Sequence, residues 1–454
     1  MPFIKSIMLA VLGFLLTIGI LVIVHEFGHY LFARLFKVKV ISFSIGFGPK
    51  LLKWQGKHNQ WCISAIPLGG YVQMLDEREA TVSPELLPLA FNNKPPYQKL
   101  LIAFAGPLFN ILFAFIAYYV MGLYGVYNLK ATIQSINPTP MVQNLQQIPT
   151  NSTILSLNGQ KVDSWNSAEE VFSDEIKHTT QLNLKLQVGA EQKIINLNLN
   201  KYLDNSENPS LANLGLYPFQ YLPIISYVEP QSPAAKAGLR EQDKVLQINQ
   251  TPIKSWFTLA EIIRSSPSDK LLFSIIRGHE SQQLSIIPDS AEDDNGQLIG
   301  KVGIMPTLDA SLLMQNSYIK NYSIFTSVGY AYNSCINLIQ TNLTMLSYML
   351  QGKVSWHNIG GPVSIAKASQ NAMHQGIKAF VDLLALISLS LAVMNLLPIP
   401  MLDGGHIVLY ALEWLTGKKI SNTTQQFLFK LGLIAILTIS GLALYNDFLK
   451  LLNL

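Results

Sequence analysis

Charge is scarce in this sequence: Asp, Glu, Lys and Arg make up 13% of 454 residues, against about 25% in an average soluble chain. The deficit is concentrated in a few apolar runs, and the mean hydropathy is +0.27. That pattern excludes an ordinary soluble enzyme and points to an integral membrane protein with soluble inserts. The net charge of +4 gives no basis for nucleic-acid binding. Cysteine is almost absent. Cys62 and Cys335 are too few for a cysteine metal site. The topology derived below sets them on opposite sides of the membrane, so no disulfide is expected.

Against that background one stretch stands out, His25-Glu26-Phe27-Gly28-His29, which follows at once on Ser6–Val24, 19 residues without a charge. On a helix, positions four apart share a face, so His25 and His29 offer ring nitrogens to one metal ion. Glu26 lies beside them, placed to take a proton from water rather than to ligate. So short a pattern also arises by chance, but ionisable groups in an apolar span are costly and mark function. The same run could be a secretory signal, with Lys5 as its basic start. Its length and its lack of a small-residue cleavage site favour an uncleaved transmembrane helix.

Residues 34–99 carry nine Lys or Arg, whereas only Lys5 precedes the first span. The positive-inside rule makes this loop cytoplasmic and the N-terminus external. Val38–Ile45 and Trp61–Ile66 are β-prone, with Gly46, Gly48, Gly69 and Gly70 as punctuation. They predict a small sheet beside the metal-binding face, or a hairpin that only joins two helices. Leu100–Leu129, 30 uncharged residues, is the second span. Its Gly106-Pro107 and Asn110 imply close packing, a site, or a simple kink.

From Ala131 to Pro306 the chain turns polar and repeats itself. Ile154–Trp165 matches Val245–Trp256 in hydrophobic pattern, 91 residues apart, and Leu214–Pro218 matches Val302–Pro306. Two tandem domains of about 85 to 90 residues follow. The second, with Ser232–Leu239 before Asp243–Asn249, resembles a bacterial PDZ domain, and the first follows it by the repeat. PDZ folds capture peptides at a sheet edge. A spacer or gate is the other role open to the pair.

Asn321–Gly352 is also uncharged, but Asn, Ser, Thr, Gln and Tyr recur in it. It reads as an amphipathic helix pair on the outer interface. Leu383–Leu402 is the third span, and Pro398 and Pro400 must break it before Asp403. Catalytic zinc usually takes three protein ligands, and Asp403 supplies the third if this span runs from outside to inside. Were Asn321–Gly352 a true span, Asp403 would lie about 30 Å from His25. Leu431–Asn446 is the fourth span, with Lys418 and Lys419 keeping the preceding link cytoplasmic and both termini external.

The His25–His29 motif, Gly106-Pro107 with Asn110, the repeated domains and Asn395–Asp403 together resemble the site-2 protease family over essentially the whole chain. The resemblance implies a bacterial inner-membrane zinc endopeptidase that cuts transmembrane segments of single-pass proteins of the anti-sigma factor class, or signal-peptide remnants. It implies zinc on His25, His29 and Asp403, and Glu26 as base. Asn395 would hold the substrate strand, and Ile66, Gly69, Gly70 and Tyr71 would offer it a sheet edge. Membrane lipid is an expected partner and nucleic acid is not.

The expected fold is a polytopic α-helical membrane protein of four spans. It carries a small β-structure and two tandem PDZ-like α+β domains on the periplasmic side. Its divisions are the first span with the motif (1–36), the cytoplasmic loop (37–98), the second span (99–129) and PDZ-like domains (130–219 and 220–308). Periplasmic interfacial helices (309–377), the third span (378–412) and a cytoplasmic link with the fourth span (413–454) complete them. A zinc-binding membrane receptor without turnover, with the PDZ pair as its sensor, is the alternative, and Glu26 separates the two because a purely structural metal has no need of a base.

Overall fold

The structure is a computed structural model that describes residues 2–78, 81–137, 142, 144–205, 209–292, 297–352, 360–418 and 420–452. Of the expected interfacial segment, residues 353–359 lie outside the described residues. The chain forms two compact units, Met1–Gly125 with Asn321–Asn453, and Val126–Lys320.

The first unit is helical. Helix α1 (Pro2–Leu35) runs unbroken through the His25–His29 motif, because nothing in the run interrupts the backbone ladder. Lys37 stops it with a left-handed backbone, φ 55°, and Val38 N–H returns to the Ala33 carbonyl at 2.8 Å. A ribbon follows, β1 (Val40–Gln55) and β2 (Gln60–Met74), both longer than the predicted strands. The ribbon folds over on itself: Ser42 and its neighbours to Ile45 face Gly70–Gln73 on one side and Gln60–Ile63 on the other. Tyr30 of α1 pins the tip, its hydroxyl donating to Asn59 Oδ1 at 3.1 Å while its ring meets Phe43 and Trp61.

Helix α2 (Pro96–Tyr124) has proline in its first turn, where the missing N–H costs nothing. It crosses α1 so closely that a Cβ on Gly28 would overlap the Ala105 carbonyl. Helix α3 (Ile324–Leu350) is one continuous helix rather than the expected pair. Its Asn and Thr side chains fold back onto its own carbonyls, as Thr341 does to Asn337 and Asn342 to Leu338, so the polar residues interrupt nothing. Ser327, Ala331 and Cys335 bury one face against Ala114, Tyr118 and Leu389.

Helix α4 (Pro362–Gln375) meets α1 through a Thr17–Ser369 hydroxyl pair at 3.0 Å. The expected third span is two helices, α5 (Ile377–Asn395) and α6 (Asp403–Thr416), with the proline-bearing turn between them. Helix α7 (Asn422–Leu452) continues well beyond the 16-residue run that marked it, since flanking polar residues such as Asn422 and Thr423 are compatible with the ladder. Among the described residues four helices are long and apolar enough to cross a membrane, at Met8–Leu35, Pro96–Tyr124, Ile377–Asn395 and Thr423–Leu449.

The second unit holds the repeat. Ser152–Leu157, Gln181–Val188 and Glu191–Asn198 form one sheet with the helix Trp165–Glu175, and Lys244–Ile248, Leu271–Arg277 and Glu280–Ile286 form another with Trp256–Arg264. Equivalent residues do equivalent work. Asn158 and Asn249 both sit at φ 47°, and each side chain accepts a backbone N–H at 2.8 Å, from Asn183 and from Leu272. Ser164 and Ser255 each cap the helix that begins at the following tryptophan.

A buried ion pair ties α2 to α6. Lys99 Nζ lies 2.6 Å from Glu413 Oε2 and 4.9 Å from the centroid of the Tyr410 ring, and both charged side chains are about 5% exposed. Removing one partner leaves a buried charge uncompensated, which typically costs about 3–5 kcal/mol, whereas removing both often costs little. Glu413→Gln is therefore expected to lower the thermal midpoint of the detergent-solubilised protein more than the double variant Lys99→Met/Glu413→Met. A single variant as stable as the double one would show that the pair does not act as a unit.

Candidate metal centre

His25 and His29 lie one turn apart on α1, and their Nε2 atoms stand 3.2 Å from each other. Asp403 reaches both: Oδ2 is 3.2 Å from His25 Nε2 and Oδ1 is 3.5 Å from His29 Nε2. The local chain explains why. Pro398 and Pro400 forbid continuation of α5, Met401 takes a left-handed φ of 82°, and α6 restarts at Asp403 itself. The carboxylate thereby occupies the first turn of a helix, where the dipole favours negative charge.

One donor atom from each residue lies within 4.8 Å of the others. Asp403 Oδ2 is buried and accepts no hydrogen bond, although His25 Nε2 is close by. Proximity without a hydrogen bond is what a shared cation would satisfy. Two imidazole nitrogens and a carboxylate oxygen are a donor set suited to zinc with an open position.

The neighbouring groups orient these side chains. His29 Nδ1 donates to the Ile102 carbonyl of α2 at 2.8 Å, which leaves Nε2 as the free nitrogen. A Cβ on Gly106 would land on His29 Nε2 and His25 Cε1, so only glycine lets α2 lie this close to the rings. Asn110, one turn further on, is fully buried with Nδ2 3.2 Å from His25 Nδ1. The sequence singled out Asn110 as an amide in an apolar span without linking it to a histidine; its spacing from Gly106 was the available signal.

Glu26 points to the ribbon. Its carboxylate lies near the Val72 backbone and beside His29, His25 and Asp403. Gly70 makes that contact possible, since a Cβ there would press on Glu26 Cγ, Val22 and the Ser44 carbonyl. Asn395, the last residue of α5, holds Nδ2 3.5 Å from His25 Nε2. Ile66, Gly69 and Tyr71 lie along β2: Ile66 is exposed and opposite Phe47, and Tyr71 stacks on Phe47 at 6.2 Å. His406, one turn after Asp403, stacks on Tyr410, meets Phe429 at a tilt and stays outside the donor cluster.

Three comparisons bear on this geometry. The family model described as peptidase family M50 matches residues 13–439. The regulator of sigma-E protease RseP of Escherichia coli is 34% identical over 445 residues, covering 97% of this chain and 98% of that protein. A Neisseria meningitidis protein named as a zinc metalloprotease is 33% identical over 453 residues, covering 97% and 99%. Among solved structures, the PDZ domain of an SdrC-like protein from Listeria monocytogenes aligns at 24% identity over 18% of this chain and 85% of that one, with a TM-score of 0.17. The family match takes in both halves of the donor cluster, the α1 histidines and the aspartate of α6, and the chain thus belongs to peptidase family M50 and is a zinc metalloprotease of the site-2 type.

Proposed function

We propose that this protein cleaves transmembrane segments of single-pass membrane proteins, with zinc held by His25, His29 and Asp403 and with Glu26 as general base. The observation that carries the reading is the position of Asp403, whose two carboxylate oxygens each face one histidine Nε2. The chemistry that zinc supplies there is Lewis-acid activation of water and of the scissile carbonyl. Glu26, packed against Gly70 of β2, takes the proton of the attacking water as the new C–O bond forms. It returns a proton to the leaving nitrogen as the C–N bond breaks.

A helical substrate hides its carbonyls in its own hydrogen bonds, so it has to unwind before attack. The Gly70–Met74 stretch of β2 pairs with β1 on one side and passes Glu26 at Gly70. Among the described residues no strand covers its other side. A substrate strand added there gains backbone hydrogen bonds that offset those lost on unwinding. In this reading Ile66, Gly69, Gly70 and Tyr71 line the added strand, and the Asn395 amide, beside His25, holds it over the donors.

Four spans in an inner membrane put the basic 34–99 loop in the cytoplasm and both termini in the periplasm. The repeated unit is read as two PDZ-like domains, at 130–219 and 220–308, on the periplasmic side, with α3 and α4 at the outer interface. Its described residues contain no donor cluster, which fits a role in selecting substrates rather than in bond cleavage. RseP of Escherichia coli is named a regulator of sigma-E, and anti-sigma factors and signal-peptide remnants are the substrate classes we assign by that likeness.

Glu26→Gln keeps the side chain's size but removes the base. The variant is expected to retain about one zinc per chain, measured on purified protein by atomic absorption, while cleavage of a model transmembrane peptide falls about 10²–10⁴-fold. His25→Ala and Asp403→Ala should lose metal and activity together, and a chelator should reproduce that loss in the wild type. Wild-type turnover by Glu26→Gln would rule out the base assignment.

Removal of residues 131–306 is expected to leave cleavage of a short membrane peptide detectable and to relax discrimination against substrates that keep a large outer domain. Both are read by comparing the two cleavage rates. A membrane-inserted deletion that cleaves neither substrate would show that the repeated unit contributes to catalysis itself.

A further inference from the structure

The Asn110 amide is the buried polar group beside the donor cluster that the proposed chemistry leaves without a role. Its backbone carbonyl accepts from the Ser388 hydroxyl of α5 at 2.9 Å, which fixes this turn of α2. Its side chain faces His25 Nδ1 at 3.2 Å, and its Oδ1 is buried with no hydrogen-bond partner. The other ring nitrogen of His25, Nε2, is the one turned towards Asp403 and His29.

A neutral imidazole carries one ring proton, and a nitrogen that ligates a cation must have its lone pair free. With Nε2 in the donor cluster, the proton of His25 has to sit on Nδ1, where it needs an acceptor. An Asn110 amide with Nδ2 towards the ring sets donor against donor and strands Oδ1. Half a turn about the terminal side-chain bond, which exchanges two groups of nearly equal size, brings Oδ1 to the ring proton. His29 already shows the same arrangement, with Nδ1 2.8 Å from the Ile102 carbonyl. The two histidines of α1 are then oriented by two carbonyl oxygens of α2, one from the main chain and one from a side chain.

We infer that Asn110 is a positioning residue: its side-chain carbonyl holds His25 in the Nδ1–H form and so frees Nε2 to bind zinc. The inference rests on the metal centre proposed above, and metal binding separates the two. Full-length protein in detergent would be titrated with zinc against a competing chelator, and the visible spectrum of the cobalt-substituted protein recorded. Asn110→Leu, of similar volume and without an acceptor, is expected to bind zinc about 10–100-fold more weakly and to show an altered cobalt spectrum. Asn110→Asp, which keeps an acceptor at the same reach, is expected to bind within a few-fold of wild type with the spectrum preserved.

Should the leucine variant fail to fold in a thermal melt with chelator present, Asn110→Ala carries the same expectation of weakened binding. Wild-type affinity and spectrum in the variants without an acceptor would overturn the role of Asn110, as would an aspartate variant that binds as poorly as they do. A wild-type protein that takes up no zinc would instead overturn the metal centre itself.

Discussion

A turn of helix that carries two histidines and a glutamate has to be kept at the depth of an apolar span, and the rest of the structure answers to that constraint. The solution is contact without intervening side chains. Gly28 admits the Ala105 carbonyl, Gly106 admits both imidazole rings, and Gly70 admits Glu26. Each of these glycines removes a methyl group's worth of separation, and the sum is a set of polar groups shielded by backbone rather than by bulky apolar residues. Small residues serve this purpose wherever hydrophobic burial cannot drive helix association.

The shielding helices also contribute polar groups to the candidate site. Helix α2 supplies the Ile102 carbonyl and the Asn110 amide to the two rings. Helix α6 starts at Asp403, because prolines keep α5 from running past Asn395, eight residues earlier, and force the backbone to turn. The Lys99–Glu413 pair fixes the far end of α6 to the start of α2, so the helix that bears Asp403 is held at both ends. Polar atoms in a low-dielectric setting are costly when unpaired, and here Thr17 with Ser369, Lys99 with Glu413 and Ser388 with the Asn110 carbonyl are paired across helices.

Much of this was legible in the residue order. The histidine spacing put both rings on one face, the proline pair marked the break before Asp403, and the 91-residue offset revealed the repeat. Each of these signals is local or periodic. What stayed hidden is non-local. Nothing in residues 102 to 110 states that a backbone carbonyl and an amide will meet two histidines some eighty positions earlier. Likewise, the ribbon's double pairing around Ser42 arises from a fold-over that alternation alone cannot encode. Asn321–Gly352 misled in a different way. Its polar residues suggested an interrupted, two-part segment, whereas back-bonding to the helix's own carbonyls lets it run unbroken.

Asp447 of α7 caps the start of α4 from outside. Its carboxylate takes the N–H groups of Gly361 at 3.0 Å and Val363 at 2.8 Å, and the hydroxyl of Ser364. Two turns on, Ser369 of α4 meets Thr17 of α1, eight residues before His25. A helix cap supplied by another helix is a joint rather than a terminus. Through it α4 bridges α7 and α1: Asp447 of α7 holds its start, and Ser369 two turns on touches the helix that carries the histidines.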